Sequence, residues 1–376
     1  MDRLGNAAPM TMPRYPLGLA VCLDCFHSQN LGAVDPEILY RDYPYVSGTS
    51  ATLRNYFRQF VDDVEADFMP RKLRVLDIAA NDGSLLEVFR AHGHEVLGVD
   101  PAKNLVEIAA EKGIEVLDFP WERVPSQRLG GKFDVIVAMN VLGHVRRPSL
   151  FLQLCRHALA PGGRIYVQTS QARMVERGEF DTVYAEHLSF FTAKSLNTLV
   201  SRCDLSLIDL KRVPVHGTSY LATMGPGVQI FQFEHDLVDT EEAAGYYRLE
   251  TYDGFQKRAD DLAAQVRSAI EVYRAKGFEI AGYGAAAKGI TFLTYAGIEL
   301  AWIVDDNPLK VGKFVANLPT SIISMPASGK RVLWVIPAWN MAAEIRAKIE
   351  AARPGARDAF LTYFPELIVD DPEAYQ

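Results

Sequence analysis

Three side chains capable of proton transfer stand close together in the segment FDTVYAEHLSFF, which begins at Phe180. They are Tyr184, Glu186 and His187. An imidazole can accept a proton near neutral pH, a carboxylate can orient it or act as the base itself, and a phenol can donate to an oxygen that becomes anionic. The trio therefore suits removal of a proton from carbon. Phe190 and Phe191, which follow, either exclude water from these groups or are ordinary core residues.

Two other stretches carry polar groups that could join this segment. AMNVLGHV places Asn140 and His144 at the end of an apolar strand, and RDYPYVSGTS offers Tyr43 and Tyr45 before Ser47. In a doubly wound sheet, functional groups gather at the carboxyl ends of the strands. We therefore expect these stretches to meet the loop that follows strand GRIYVQTS, where His187 lies.

The elements that must position these groups are visible as apolar runs. From Arg74 onward, short Val/Ile/Leu runs alternate with amphipathic helices, which predicts a parallel sheet covered on both faces. A second such unit begins at EIAGYGAAAKG, after a polar stretch of one or two helices. The predicted fold class is α/β, with two Rossmann-like doubly wound domains in tandem after a small irregular N-terminal module. The predicted boundaries give residues 1–50, 51–224 and 225–376.

The turn VLDIAANDGSLL follows the first strand and precedes a helix, where a nucleotide-binding turn belongs. Ala79 and Asn81 occupy places where glycine is expected, and Gly83 remains. A diphosphate needs the full glycine pattern for close backbone approach, whereas S-adenosylmethionine (SAM) carries no phosphate. The distance from this turn to Asp100, 17 residues after Gly83, favours SAM over an ordinary turn without a ligand. The predicted cofactor-binding residues are Asp77, Ala79, Asn81, Gly83, Asp100 for the ribose, Asp118 and Phe119 for the adenine, and Asn140.

The number of acid–base groups indicates which kind of nucleophile would receive the methyl group. A methyl group on a sulfonium needs a nucleophile and no metal. Oxygen nucleophiles seldom require so many acid–base groups, whereas carbon does, because an enolate must be made and held.

A second turn, GYGAAA, begins at Gly282 and fits the pattern G-x-G-x-x-A, and Asp305 ends the next strand. Alone, it fits NAD as well as another diphosphate ligand. Lys288 follows the turn, where an ammonium group and a helix N-terminus could bind a diphosphate together, which favours a nucleotide sugar. HGTSYL either touches the sugar or is a turn before an edge strand. The predicted substrate-binding residues are Tyr43, Ser47, His216, Thr218, Ser219, Tyr283, Gly284, Ala285, Lys288, Asp305 and Asn307.

Composition excludes several classes of function. The chain has 39 Lys and Arg against 47 Asp and Glu, a net charge of -8, without a basic cluster, so polyanion binding is not expected. It has neither an apolar stretch of membrane-spanning length nor a signal-peptide core, which predicts a cytoplasmic protein. Its cysteines are too few and scattered for a disulfide framework, so we expect reduced thiols.

Eight strings resemble, in the same order, those of the SAM-dependent C-methyltransferases that act on dTDP-linked deoxysugars, the group that makes branched sugars such as tetronitrose. The resemblance covers nearly the whole chain. The strings are YPLGLAVCLDC, DYPYVSGTS, VLDIAANDGSLL, MNVLGHV, FDTVYAEHLSFF, HGTSYL, YGAAAKGITFL and VDDNPLKVGKF.

The resemblance implies a zinc-binding N-terminal module, a central SAM domain and a C-terminal Rossmann-like domain that positions the nucleotide sugar. It also implies a 4-keto sugar that is deprotonated next to the ketone and then methylated at carbon. By this likeness His187 is the leading base. The residues that assist it are Tyr184, Glu186, His144 and Tyr45, the last preferred to Tyr43 for its place before Ser47. The family likeness also favours a monomer.

The sequence departs from this family at two places. Such proteins usually carry two Cys-x-x-Cys pairs, which supply the four thiolates of a structural zinc site, and this chain has only Cys22 and Cys25, with His27 nearby. LGNAAPM resembles the stretch after the first pair, as if the chain began late. In the first turn, Ala79 stands where it could crowd the SAM carboxylate. Zinc binding and free thiols both remain open.

The expected function is C-methylation of a dTDP-linked 4-keto-6-deoxy sugar. The substrate would dock across the interdomain cleft, His187 would remove a proton, and the enolate would attack the SAM methyl group in line. Attack at C3 and attack at C5 both remain open. The alternatives are O- or N-methylation of a similar sugar and a non-catalytic nucleotide-binding homologue, which the incomplete cysteine set and the altered turn favour.

Overall fold

The 376-residue chain forms two open α/β sheets and one small antiparallel sheet in a computed structural model. The structure describes residues 4–5, 15–32, 34–40, 43–215, 217–227, 235–307, 310–326 and 329–373. In these ranges, helix length and apolar character nowhere combine into a segment that could span a bilayer.

The strands of the described residues are short, and many are buried on both faces. In chain order they are β1 (Leu4–Gly5), β2 (Leu19–Val21), β3 (Ser28–Asn30), β4 (Arg74–Ile78), β5 (Glu95–Asp100), β6 (Val116–Asp118), β7 (Phe133–Met139), β8 (Leu159–Ser170), β9 (Ser189–Phe190), β10 (Ser206–Val213), β11 (Ser219–Gly225), β12 (Glu279–Tyr283), β13 (Trp302–Val304), β14 (Phe314–Val315), β15 (Ser321–Ile323), β16 (Val332–Val335), β17 (Ala359–Thr362) and β18 (Ile368–Asp370).

Helices alternate with most of these strands. They are α1 (Pro36–Tyr40), α2 (Ala51–Ala66), α3 (Ser84–Ala91), α4 (Lys103–Glu111), α5 (Pro148–Ala158), α6 (Met174–Arg177), α7 (Ala193–Arg202), α8 (His235–Ala243), α9 (Leu249–Asp253), α10 (Phe255–Ala275), α11 (Ala287–Ala296) and α12 (Ala342–Ala352). Short 3₁₀ turns lie at Ser47–Thr49, Trp121–Arg123, Ser126–Leu129, Leu142–His144, Phe180–Thr182 and Trp339–Met341. The stretch predicted as one or two helices contains three, α8 to α10. Gly245, with a φ of 82°, follows the first of them.

The first large sheet has the order β10-β11-β8-β7-β4-β5-β6. The five strands from β8 to β6 in this order are parallel neighbours. β11 runs antiparallel to β8, and β10 runs antiparallel to β11. The prediction of a parallel sheet was therefore wrong at this edge, where the sheet is mixed. Only a few residues separate β10 from β11 along the chain, and such a short connection allows antiparallel pairing alone.

Alternate residues of these strands face two separate cores, which explains the continuous apolar runs. Leu76, Ile136 and Ile165 belong to one apolar cluster with α5 and α7. Val75 and Val135 belong to another cluster with α2 and α3. A strand buried on both faces has apolar residues at successive positions, as these strands do. The prediction that helices cover both faces is confirmed for this sheet.

A small antiparallel sheet has the order β2-β3-β9. Ser28 pairs with Phe190 and Gln29 with Ser189, so the segment after His187 adds a strand to the hairpin formed by β2 and β3. The amide of Asn30 also donates to the carbonyl of Leu188 at 3.0 Å. The backbone on the carboxyl side of His187 is therefore held by strand pairing.

The second large sheet has the order β1-β14-β15-β13-β12-β16-β17-β18. Its five central strands, from β15 to β17, are parallel. β1, β14 and β18 pair antiparallel at its edges, so this sheet is also mixed. Two apolar clusters cover its faces, one of which includes residues of α10 and α11 and the other residues of α12.

Contacts between Cα atoms divide the chain into two compact units. One unit contains the described residues of Gly18–Ala172 and Glu186–Tyr247, with the first large sheet and the small sheet. The other contains the described residues of Met1–Leu17, Arg173–Ala185 and Arg248–Gln376, with the second large sheet. Below they are called the first and the second unit. These two units have other bounds than the three domains predicted from the sequence, whose boundaries near residues 50 and 225 stay a prediction.

Candidate active site

The turn 79–83 joins β4 to α3 where the first cofactor turn was predicted. Ala79, Asn81 and Gly83 have φ angles of 57°, 54° and 73°, in the left-handed region that glycine adopts without steric cost. Gly83 is the N-cap of α3. Glycine is expected at residues 79 and 81 because the backbone there adopts positive φ angles.

Asp100 ends β5 beside this turn, and its carboxylate is held by backbone amides. Its Oδ2 accepts from the amide of Asn81 at 2.9 Å, and its Oδ1 accepts from the amide of Ala102 at 2.8 Å. Burial raises the pKa of Asp100 to about 6, against the effect of these two hydrogen bonds. Each carboxylate oxygen can accept a further hydrogen bond, so ribose hydroxyls remain possible partners.

Asp77 precedes the turn in β4 and is buried. Burial, followed by the nearby carboxylates of Asp100 and Asp82, raises the pKa of Asp77 well above its ordinary value. Asp82 is compensated instead, because Lys112 Nζ lies 2.5 Å from its Oδ2. The turn thus combines one ion-paired carboxylate with a carboxyl that burial keeps protonated.

The segment 43–50 packs against the cofactor turn. The amide of Ser47 donates to Oδ1 of Asn81 at 2.9 Å, and Nδ2 of Asn81 donates to the carbonyl of Tyr45 at 3.0 Å. A Cβ on Gly48 would lie 2.4 Å from Oδ2 of Asp82, so the close approach requires glycine there. These contacts bring the predicted substrate residue Ser47 to the predicted cofactor turn.

The other predicted cofactor residues lie at the ends of neighbouring strands. Asp118 ends β6 with an exposed side chain, and Phe119 is half-buried against the core. Asn140 follows β7 with a φ of 56°, and its amide donates to the carbonyl of Gln168 at 2.9 Å. Among the residues described, the buried Oδ1 of Asn140 and both side-chain amide atoms of Gln168 have no hydrogen-bond partner. These atoms can hydrogen-bond a ligand at the carboxyl ends of β7 and β8.

Two imidazole rings meet beyond the ends of these strands. The rings of His144 and His187 are edge-to-face, with centroids 4.9 Å apart. The amide of Leu188 donates to the carbonyl of Gly143 at 2.8 Å, which brings the two loops together. Nε2 of Gln171 lies 3.1 and 3.2 Å from the two ring nitrogens of His187. The predicted meeting of the His144 and His187 loops is therefore present in the structure.

Tyrosine and carboxylate groups flank this pair. The hydroxyl of Tyr43 donates to Oε2 of Glu186 at 3.2 Å, and the hydroxyl of Tyr40 lies 3.0 Å from Nδ1 of His144. Burial lowers the pKa of His144, against the charge of Glu186, and burial raises the pKa of Tyr40. Tyr40 therefore stays protonated at neutral pH and can donate to a neutral His144.

Two further residues predicted to be catalytic are Tyr184 and Tyr45. Tyr184 is buried, but it belongs to the second unit, whereas Glu186 and His187 belong to the first. The side chain of Tyr45 is 38% exposed, and its carbonyl accepts from Asn81. Of the two tyrosines weighed for the site, Tyr43 is the one whose hydroxyl bonds to Glu186.

The segment HGTSYL is partly described. His216 lies outside the described residues. The hydroxyl of Thr218 donates to the carbonyl of Gly217 at 2.6 Å, and the buried hydroxyl of Ser219 donates to the carbonyl of Val215 at 2.8 Å. Both hydroxyl groups thus donate to backbone carbonyls within their own turn.

The second turn repeats the arrangement of the first. Oδ2 of Asp305 accepts from the amide of Ala285 at 2.8 Å, and its Oδ1 accepts from the amide of Asn307 at 2.9 Å, as Asp100 accepts from Asn81 and Ala102. Gly284 has a φ of 97°. The two turns therefore share the same pattern of hydrogen bonds to an aspartate at the end of the next strand.

The charges around the second turn distinguish it from the first. Lys310 Nζ donates to the carbonyl of Ala285 at 2.9 Å and lies 3.4 Å from Asp305. The hydroxyl of Tyr283 donates to Asp306 at 2.5 Å, so it faces the same end of the sheet. Lys288 lies in the first turn of α11. Two ammonium groups thus stand near this turn.

The cysteine pair lies between β2 and β3. The amide of Phe26 donates to the carbonyl of Cys22 at 2.9 Å, and Cys22 is exposed. In the described part of the chain, no group of three potential metal ligands includes Cys22 or Cys25. The remaining cysteines, Cys155 and Cys203, are buried in the core of the first unit. These residues do not supply the four ligands of a structural zinc site, so zinc has no part in the proposed chemistry.

Sequence reasoning missed several residues that hold the site together. They are Tyr40 beside His144, Gln171 beside His187, Lys112 beside Asp82, and Asn104, whose side chain bonds both the amide and the carbonyl of Tyr43. Tyr40 and Asn104 join segments far apart in the chain, and no local pattern marks them. Gln171 follows β8 with a φ of 73°, at a strand end where functional groups collect, which was an available signal.

Two family models match the chain. One, described as a methyltransferase domain, matches residues 51–210, and the other, described as a C-methyltransferase C-terminal domain, matches residues 215–365. Together they include both large sheets except β1, β18 and the last three residues of β10.

Individual relatives agree with these matches. The C-methyltransferase NovU of Streptomyces niveus is 28% identical over 344 residues, 88% of this chain and 82% of that protein. A ubiquinone biosynthesis O-methyltransferase of Nitrobacter winogradskyi is 38% identical over 100 residues, only 26% of this chain and 38% of that protein. Magnesium protoporphyrin IX methyltransferase of Synechocystis, solved with bound SAM, has a TM-score of 0.37 and 14% identity over 46% of this chain and 79% of its own, too remote to support an argument.

The length of each match separates the two kinds of relative. The O-methyltransferase matches about a quarter of this chain, whereas the C-methyltransferase matches most of it, and the second unit has a C-methyltransferase model of its own. The cofactor turn, with Asp100 bonded to it, lies in the part matched as a methyltransferase domain. The two domain models and the match to NovU therefore support a SAM-dependent C-methyltransferase.

Proposed function

We propose that the protein methylates a ring carbon of a dTDP-linked 4-keto-6-deoxy sugar through an enolate, in deoxysugar biosynthesis. The observation that carries this proposal is the edge-to-face imidazole pair formed by the half-buried His144 and the buried His187, with the Tyr43–Glu186 hydrogen bond in the same unit as the cofactor turn. Carbon beside a ketone must lose a proton before it can accept a methyl group, and this site is rich in groups that move protons. The resemblance to the sugar C-methyltransferases supplies the substrate class.

In this proposal His187 takes the proton from the carbon next to the ketone. The electron pair of the C–H bond becomes the enolate, whose oxygen needs a hydrogen-bond donor. Tyr184 and the neutral His144 are the candidates for that role, and Glu186 orients the imidazole or stabilises it once it is protonated. SAM supplies an electrophilic methyl group when bound. The enolate carbon would form the new C–C bond as the bond between the methyl group and sulfur breaks, with S-adenosylhomocysteine as the leaving group. The proton would stay on His187 until it passes to solvent.

The second unit is proposed to hold the nucleoside diphosphate. Gly284 allows the second turn its positive φ, and Lys288 offers an ammonium group at the start of α11. Positive charge at a helix start is the usual environment for a diphosphate. This supports a nucleotide sugar, rather than NAD, as the ligand of the second turn. The proposed reaction involves no hydride transfer and so does not need NAD.

Product structure tests the proposal. The enzyme is incubated with a dTDP-linked 4-keto-6-deoxy sugar and SAM labelled with ¹³C in its methyl group, and the product is analysed by NMR. A one-bond coupling between the label and a ring carbon is expected. A label on oxygen or nitrogen would instead identify the heteroatom alternative. If calorimetry detected no SAM binding, the non-catalytic alternative would replace both.

A further inference from the structure

The carboxyl group of Asp181 is fully buried in the second unit. It lies in the 3₁₀ turn Phe180–Thr182, and its exposure is 0%. Its Oδ2 accepts from Nε1 of Trp339 at 3.1 Å. Its Oδ1 is buried and has no hydrogen-bond partner among the described residues. A buried oxygen in this state is costly, so the site calls for a functional explanation.

Trp339 connects this carboxyl group to Lys288. The ammonium nitrogen of Lys288 lies 5.4 Å from the centroid of the Trp339 ring, while the indole N–H donates to Asp181. Lys288 occupies the first turn of α11, where the helix dipole disfavours a cation. The ammonium group therefore depends on nearby anions and on the indole ring for its stabilisation.

These residues lie where the second sheet is suited to bind a ligand. α11, with Lys288, follows β12, and the 3₁₀ turn of Trp339 follows β16, the parallel neighbour of β12. The sheet order reverses between these two strands, because β13 and β15 continue on one side and β17 on the other. In open α/β sheets, ligands bind at such a reversal, at the carboxyl ends of the strands.

The titratable groups that face Asp181 are few. Burial raises the pKa of Asp181 to about 7, and Lys288 is the strongest influence that opposes this rise. Glu179, on the same segment, acts in the direction of a higher pKa and is paired with Arg177 at 3.7 Å. Tyr363, after β17, is buried, and the charge of Asp181 contributes to the rise of its pKa. At neutral pH the proton occupancy of Asp181 is therefore controlled mainly by burial and Lys288.

We propose that Asp181 is the positioning residue of Lys288: its carboxylate is the counter-ion of the ammonium group in the free enzyme and takes up a proton when a ligand diphosphate replaces it. The proton comes from solvent, and no covalent bond other than O–H forms. This inference rests on the proposed function, since it assumes that the nucleoside diphosphate binds at Lys288. Binding of the substrate would then be linked to pH through a residue that need not touch the substrate.

Calorimetry with dTDP-glucose tests this linkage, because its diphosphate diester does not titrate near neutral pH. Titrations of the full chain in two buffers of different ionisation enthalpy give the number of protons taken up per ligand. We expect about half a proton at pH 7, because a group with a pKa of about 7 is then half ionised. The uptake should fall towards zero about 1.5 pH units lower, where Asp181 is already protonated.

Matched variants identify the residue responsible. Asp181→Asn keeps an acceptor for Trp339 and should abolish the uptake. Glu179→Gln removes the neighbouring buried carboxyl, and Asp261→Asn removes an exposed one on α10, and both should retain it. Lys288→Gln should weaken binding about tenfold or more and also abolish the uptake.

Each result has one reading. The inference is overturned if Asp181→Asn still takes up a proton on binding, or if Glu179→Gln no longer does. It is also overturned if proton uptake by the wild type stays constant as the pH is lowered. Binding without uptake in the wild type, or binding that Lys288→Gln leaves unchanged, overturns the inference and leaves C-methylation of a nucleotide sugar in place. Failure of the wild type to bind dTDP-glucose overturns the inference and removes the nucleotide site from the proposed function. The wild-type pH series decides the matter even if Asp181→Asn fails to fold.

Discussion

Glu186 and His187 are each 5% exposed, so any charge on them is stabilised by protein groups rather than by bulk water. The hydroxyl of Tyr43 is one such group, at 3.2 Å from Glu186. His144 and Gln171 contact the ring of His187. At the scale of single residues, the candidate site is a set of buried groups whose hydrogen bonds decide which of them can accept a proton.

Replacement of Tyr43 by phenylalanine should slow turnover. A hydrogen bond to a charged group contributes about 1.5–3 kcal/mol, so we expect kcat/KM to fall about 10- to 100-fold. Steady-state kinetics measure this, with Tyr56→Phe as the matched control, because the buried hydroxyl of Tyr56 has no hydrogen-bond partner among the described residues. Equal rates for both variants would remove the Tyr43–Glu186 bond from the mechanism.

Cofactor binding should depend on the ionisation of Asp100. Its pKa is raised to about 6 by burial, so it is ionised above that pH and loses acceptor capacity below it. The dissociation constant of S-adenosylhomocysteine should therefore be flat at high pH and rise by up to about tenfold per unit below pH 6. Calorimetry across this range measures it. Asp100→Asn should bind weakly with a flat profile, and a variant that kept the wild-type slope would assign the titration to another group.

Local sequence patterns predicted part of the site and missed the rest for a definite reason. Asp100, His144 and His187 follow strands, and strand ends can be read from apolar runs. Tyr40 and Asn104 act through partners distant in the chain, so only the fold reveals them. The separation of Tyr184 from Glu186 into different units is equally invisible in a segment that reads as one motif.

The connection between β4 and α3 is the element in which sequence and backbone conformation conflict. Ala79 and Asn81 both have positive φ angles, a conformation that costs non-glycine residues about 1–2 kcal/mol, with asparagine more tolerant than alanine. Asn81 offsets this cost with hydrogen bonds to segment 43–50. The strain at Ala79 has no such compensation in its methyl side chain.

Ala79→Gly should therefore stabilise the first unit. We expect the free energy of unfolding to rise by about 1 kcal/mol, since glycine accepts a φ of 57° without steric strain. Urea denaturation followed by circular dichroism measures the change. The same substitution at Ala110, an exposed position of α4, should lower the free energy of unfolding by about 1 kcal/mol. If both variants were destabilised equally, the backbone at residue 79 would not be strained.

Apolar periodicity predicted the existence of most strands and helices but not the direction of the edge strands. A buried run such as the one in β11 looks the same whether its neighbour is parallel or antiparallel. The order of β10 and β11 beside β8 is decided by connection length and tertiary packing. The pairing of β9 with β3 has no sequence signal at all, because β9 contains only Ser189 and Phe190.

At the scale of the whole molecule, two α/β units carry the same turn with different charges. In each, an aspartate after the second parallel strand accepts from an amide of the preceding turn. The first turn is next to the buried carboxyls of Asp77 and Asp100, whereas Lys288 and Lys310 stand near the second. This difference supports a neutral-to-cationic ligand in the first unit and an anionic one in the second.

Hydrogen exchange should locate the two ligands separately. S-adenosylhomocysteine should slow amide exchange in peptides that contain residues 79–83 and 100–104, and dTDP-glucose should slow it in peptides that contain residues 283–290. Mass spectrometry with each ligand alone measures this. Peptides outside these three ranges are the internal control. Protection of the second turn by S-adenosylhomocysteine would reverse the assignment of the two units.

Solvent deuterium exchange tests the proposed enolate most directly. The enzyme is incubated in deuterated buffer with a dTDP-linked 4-keto-6-deoxy sugar and S-adenosylhomocysteine, so that proton removal can occur without methyl transfer. The wild type should incorporate one deuterium at the carbon that is methylated when SAM is present. His187→Ala should neither exchange this hydrogen nor, with SAM, methylate the sugar. The control His157→Gln, at an exposed position, should exchange and methylate. A His187→Ala enzyme that exchanged and methylated at the wild-type rate would contradict the account.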